Sequence, residues 1–84
     1  MNITINEKAK TVLIEKANEK IYEYLAELYS GLARMTEIDK VIATATPDEQ
    51  FELFTEALSL TVRATELNDK IQEIVKQIEN IEKM

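Results

Sequence analysis

Leu53-Phe54-Thr55-Glu56-Ala57-Leu58-Ser59-Leu60-Thr61-Val62-Arg63-Ala64-Thr65-Glu66-Leu67 is the stretch that decides the fold. Leu53, Leu60 and Leu67 recur every seventh residue with Ala57 and Ala64 between them, and the series runs on through Ile71, Ile74, Ile78 and Ile81. These are the a and d positions of a coiled-coil seam. Such a stripe, held for about four heptads, describes one long helix built to lie along another.

The upstream half carries a matching series, Ile14, Ile21, Leu28, Met35 and Ile42, again seven residues apart. Between the halves stands Thr46-Pro47-Asp48-Glu49. Thr46 can cap a helix, Pro47 has the fixed φ of a first helical position, and Glu49 completes a capping box. A second box, Thr4-Ile5-Asn6-Glu7, opens the first helix. The sequence therefore predicts an all-α chain forming one domain over residues 1–84. A first helix spans about 5–44, a turn about 45–47, and a second helix about 47–83. At a rise of ~1.5 Å per residue each helix would be roughly 57 Å long.

So short a turn makes the helices antiparallel neighbours in a long coiled-coil-like hairpin. A register in which paired residue numbers sum to about 88 sets Leu28 against Leu60, Ile21 against Leu67 and Gly31 against Ala57, matching large with small. On the g edge Glu27 then meets Arg63 and Arg34 meets Glu56, and only Lys20 beside Lys70 opposes the pattern. Exposed ion pairs of this kind select a register more than they stabilise a fold. Ser30-Gly31 is the weak point of the first helix, costing about 1 kcal/mol relative to alanine. At most a bend is expected there. The alternative is a break that folds the chain into a monomeric three-helix bundle.

Composition narrows the class further. One Gly and one Pro among 84 residues leave little room for turns, which excludes a sheet. Without Cys or His there is no disulfide, thiolate metal site or imidazole chemistry. The N-terminus lacks the basic flank and apolar core of a signal peptide, and no apolar run is long enough for a membrane span, so a soluble, cytoplasmic protein is expected. A net charge of −6 disfavours nucleic acid and anionic membrane as partners. A bias to Lys, Ile, Glu and Asn with only two Arg suits a low-GC bacterium or one of its phages.

Outside the seam, Tyr22, Ala26, Tyr29 and Ala33 form a second stripe on the first helix, and Phe51, Leu58, Val62 and Thr65 do so on the second. With Leu25, Leu32 and Phe54 bridging stripe and seam, the stripes fall mostly on b and e positions, and the e edges of an antiparallel pair lie on the same side. The merged apolar patch predicts a homodimer that forms a four-helix bundle through those eight residues.

Chemistry has to be sought among the carboxylates. Asp48-Glu49-x-x-Glu52 followed by Glu66-x-x-Asp69 resembles the E-E-x-x-E and E-x-x-D motifs of the MazG-like all-α nucleotide pyrophosphohydrolases. The resemblance covers those acids alone, and it implies a helical dimer holding magnesium over a phosphate chain. In that family the two motifs face each other from different helices. Here Leu53 to Thr65 contains no turn signal, and Glu52 and Glu66 would stand roughly 21 Å apart along one helix, too far to share an ion. Three Tyr and two Phe read as packing residues, since base stacking would need positive charge around them.

The row Glu15, Glu19, Glu23 and Glu27, spaced four apart, repels itself and reads first as a solvated face. Together with Glu66, Asp69 and Glu73 it is also the best candidate for an acidic docking surface. The expectation is a non-catalytic interaction module, an adaptor, inhibitor or regulatory subunit that binds a larger protein with a basic surface. It needs no cofactor, metal or catalytic residue. The MazG-like magnesium-dependent enzyme is the alternative.

Overall fold

The computed structural model describes residues 3–83, with side chains described from Glu7 onward. Helix α1 spans Ile3–Val41, a 3-10 turn covers Ile42–Thr44, and helix α2 spans Pro47–Lys83. No strand occurs among the described residues. The two helices return alongside each other as a rod of 70 × 15 × 12 Å with a radius of gyration of 19.3 Å. A compact chain of this length would have a radius of gyration of about 12 Å. The protein is a long antiparallel helical hairpin.

Local chemistry explains the two helices and the single reversal. The Thr46 hydroxyl accepts the Glu49 N–H at 3.3 Å, so the N-cap of α2 is formed. Asp48 and Glu49 in the first turn and Lys83 in the last turn both complement the helix dipole. In the 3-10 turn the Ile42 carbonyl accepts both the Ala45 N–H at 3.4 Å and the Gln50 side-chain amide at 2.9 Å, which ties the start of α2 back to the reversal. Threonines inside the helices, poor helix formers in isolation, return their hydroxyls to the carbonyl four residues earlier. Thr36 bonds Leu32 at 3.0 Å and Thr61 bonds Ala57 at 2.9 Å.

Two expected helix boundaries are corrected, and the break at Gly31 is excluded. Helix α1 is already running at Ile3, so Thr4 lies inside it and does not precede it as a cap; the side chains of Thr4, Ile5 and Asn6 lie outside the described residues. Its α-helical hydrogen bonding ends at Val41, and the last turn before Ala45 tightens to 3-10 geometry. Gly31 is neither a break nor a turn, because α1 passes through it unbroken and no glycine has a positive φ.

All of the a and d positions from Ile14 to Ile42 and from Leu53 to Ile81 are half-buried or buried. Only Ile38 and Leu67 fall to 4% and 1% exposure, because two helices can shield no more than a narrow strip of each other. Gly31 finds Leu60 as its nearest cross-helix side chain, with Leu60 Cδ2 3.8 Å from where a Cβ would stand, and not the expected Ala57. The missing side chain is compensated by the larger of the two neighbours.

Candidate functional site

Four charged side chains on the g edge tie the helices together. Arg34 donates Nε to Glu56 at 2.6 Å and a terminal nitrogen at 2.8 Å. Arg63 holds Glu27 in the same two-pronged way, at 2.6 and 3.0 Å. Each arginine also reaches one turn along its own helix at 3.1 Å, Arg34 to Glu37 and Arg63 to Glu66. A planar guanidinium can grip one carboxylate with two parallel N–H bonds and still reach a second, a fork geometry that the point charge of a lysine lacks. The residue numbers of both cross-helix pairs sum to 90, so these pairs report the register directly.

Lys20 and Lys70, the expected conflict, are accommodated by an aromatic ring. Their ammonium groups lie 5.4 and 5.9 Å from the Tyr24 ring centre, so both positive charges meet its electron-rich face. Lys20 also bonds Glu23 at 3.2 Å, which holds its pKa above the ordinary lysine value. Sequence reasoning missed this because Tyr24 was read as packing alone; an aromatic heptad residue flanked by two g-position lysines was the available signal.

A shallow groove of about 240 Å³ opens over Gly31 between the two arginine pairs, floored by Leu28, Leu60 and Leu67. The positive charge at its rim is already matched by carboxylates. Nearer the turn, Glu49, Glu52 and Glu56 line a second depression with Arg34. Among the described residues no three acidic side chains converge closely enough to hold a metal ion. Glu52 and Glu66 lie on the one unbroken α2, so the two acid motifs that resemble the pyrophosphohydrolase pattern do not face each other.

The acidic residues singled out from the sequence are divided by the structure. Glu27 and Glu66 are brought together, since both bind Arg63. Glu23 is engaged by Lys20. Glu15, Glu19, Asp69 and Glu73 are exposed and make no ion pair among the described residues. A four-residue spacing exceeds a helical turn, so the row from Glu15 to Glu27 winds from the b position through f and c to g. It is a spiral across the back of α1 and not one strip.

The ion pairs carry a pH signature. The Arg63 and Arg34 guanidiniums hold the Glu27 and Glu56 carboxyls below the ordinary value of 4.5. Folding thus favours the ionised forms, and their contribution is full above about pH 4.5 and fades as the pH falls through the lowered folded values. The stability difference between the unmutated protein and Glu27→Gln/Glu56→Gln should stay constant from about pH 7 to 5 and shrink below that. Urea unfolding followed by circular dichroism across this range checks it, and a difference that widens on acidification would contradict the pairing.

No helix among the described residues is long and apolar enough to cross a membrane. Comparison with protein families, with curated proteins and with solved structures finds no match to this chain.

Proposed function

We propose that the protein is a non-catalytic helical interaction module, an adaptor, inhibitor or regulatory subunit, that docks on a larger protein through an acidic surface. The observation that supports this is the internal use of the arginines. Arg34 and Arg63 are each matched by two carboxylates of the same chain, so the outward acids of α2 have no arginine left to neutralise them. Asp69 and Glu73 on α2 and Glu19 on α1 then offer charge to a basic partner without first breaking an internal pair. Glu15 is also unpaired. Glu23, Glu27 and Glu66 contribute field but would have to exchange partners. Attraction of this kind accelerates and orients docking and is screened beyond about 8 Å at physiological salt.

The test is affinity capture from the native host lysate at low and high salt, with Asp69→Lys/Glu73→Lys as the altered bait. Recovery of a basic protein that falls with salt and with the charge reversal is the expected result. Magnesium-dependent hydrolysis of nucleoside triphosphates by the purified chain, abolished by Glu52→Gln or Asp69→Asn, would replace this reading with an enzymatic one.

A further inference from the structure

The hairpin has two unlike sides. Every g position from Lys20 to Arg34 and from Glu56 to Lys70 is charged, and on that side the cross-helix pairs form. On the other side, the e and b positions between Asn18 and Thr36, and between Phe51 and Gln72, contain no charged residue, although 31% of the chain is charged. That face is exposed all the same, with Phe51 at 73% and Leu58 at 65%.

The uncharged face is also built twice. Glu27-x6-Arg34-x2-Glu37 on α1 is repeated as Glu56-x6-Arg63-x2-Glu66 on α2, an offset of 29 residues. The same offset carries Tyr22 to Phe51, Leu25 to Phe54 and Tyr29 to Leu58, and it carries Ile38 to Leu67, the two buried residues. In an antiparallel pair whose contacts sum to 90, this offset is a local two-fold axis. It stands normal to the face and passes between Ser30-Gly31 and Ser59-Leu60.

We propose that the occupant of this face is a second copy of the chain, laid face to face to give a four-helix bundle in which every neighbouring helix is antiparallel. Three observations carry it. First, the chain exposes 6550 Å², whereas a compact monomer of 9.7 kDa exposes about 5,100 Å². The excess matches the area of roughly 1,000 Å² or more that each partner buries in a stable homodimer. Second, the local two-fold makes the face's halves alike, so a copy that fits one half fits the other, and each helix overlies an antiparallel one whichever in-plane axis relates the copies. Third, the absence of charge lets two chains of net charge −6 meet there without desolvating an ion, while their acids remain at the outer surface.

This inference does not depend on the acidic docking surface, and its test uses the purified chain alone. Light scattering at micromolar concentration should give twice 9.7 kDa, and Leu58→Glu should return the mass to that of one chain. The protein has no cysteine, so single cysteines can report the buried side. Thr61→Cys, at an e position on the face, should react with a thiol reagent at least about ten-fold more slowly than Ser59→Cys, at a c position on the far side. If Leu58→Glu loses helicity by circular dichroism, the thiol contrast decides. A mass of one chain throughout, or a dimer that shields Ser59→Cys and leaves Thr61→Cys reactive, overturns the proposal.

Discussion

Leu67→Ala is expected to lower the unfolding free energy by about 2–5 kcal/mol, the range for truncating a buried leucine where the surroundings collapse only partly. Leu67 is the most deeply buried side chain among the described residues, at 1% exposure. It also borders the groove over Gly31, so its removal would join that open space to the seam. The matched control is Glu73→Ala, six residues further along α2 and fully outward, which should change stability by no more than about 0.5 kcal/mol. Urea denaturation at one fixed protein concentration measures both, since self-association would add a concentration term. Equal effects would mean that the buried face of α2 has been misassigned.

Those features that follow from periodicity were legible in the sequence. Heptads place Leu53 to Ile81 and Ile14 to Ile42 on one stripe of each helix, and the short Thr46-Pro47 reversal leaves them no geometry but an antiparallel one. The Arg34–Glu56 and Arg63–Glu27 pairs were legible for the same reason, because g edges meet in an antiparallel hairpin and the two arginines have few other partners. What the period alone does not encode is the fine register and where a side chain sends its tip. Leu60, not Ala57, lies nearest Gly31 because the observed cross-helix pairs sum to 90 and not to the expected 88, a shift of half a turn that brings Leu60 level with Gly31. Lys20 and Lys70 escape their repulsion by sharing the Tyr24 ring, a three-body contact that no pairwise reading of charges contains. The acidic row lost its unity for a geometric reason, since a spacing of four overshoots the turn and only three of every seven positions share a face.

Function was less legible because the two surfaces that can carry it rely on unlike physics. The uncharged e side is specified by what is excluded from it, and its meaning emerges only when the 29-residue offset is combined with the observed register. The acidic outer surface is specified by charge alone, which steers a partner without describing its shape. Both surfaces can operate together. A face-to-face pair would present two copies of Asp69 and Glu73 on a rigid bundle, so a basic partner would meet a preorganised array and lose less entropy on docking than it would to a lone, marginally packed hairpin.

Gly31 provides the sharpest test of the rod itself. Its φ is not positive, so no backbone requirement keeps a glycine there, and an added Cβ would meet Leu60 Cδ2 at 3.8 Å, an ordinary contact. Gly31→Ala should therefore stabilise the protein by about 1 kcal/mol, the helix-propensity difference, with some further gain from filling the groove. Gly31→Pro should cost about 3 kcal/mol or more, because it removes a helical hydrogen bond and drives its ring into the preceding turn. A chain that turned at Gly31 would reverse the order, since a turn tolerates proline and loses its flexible residue with alanine. Paired melting curves for the two variants therefore separate one continuous 39-residue helix from a broken one.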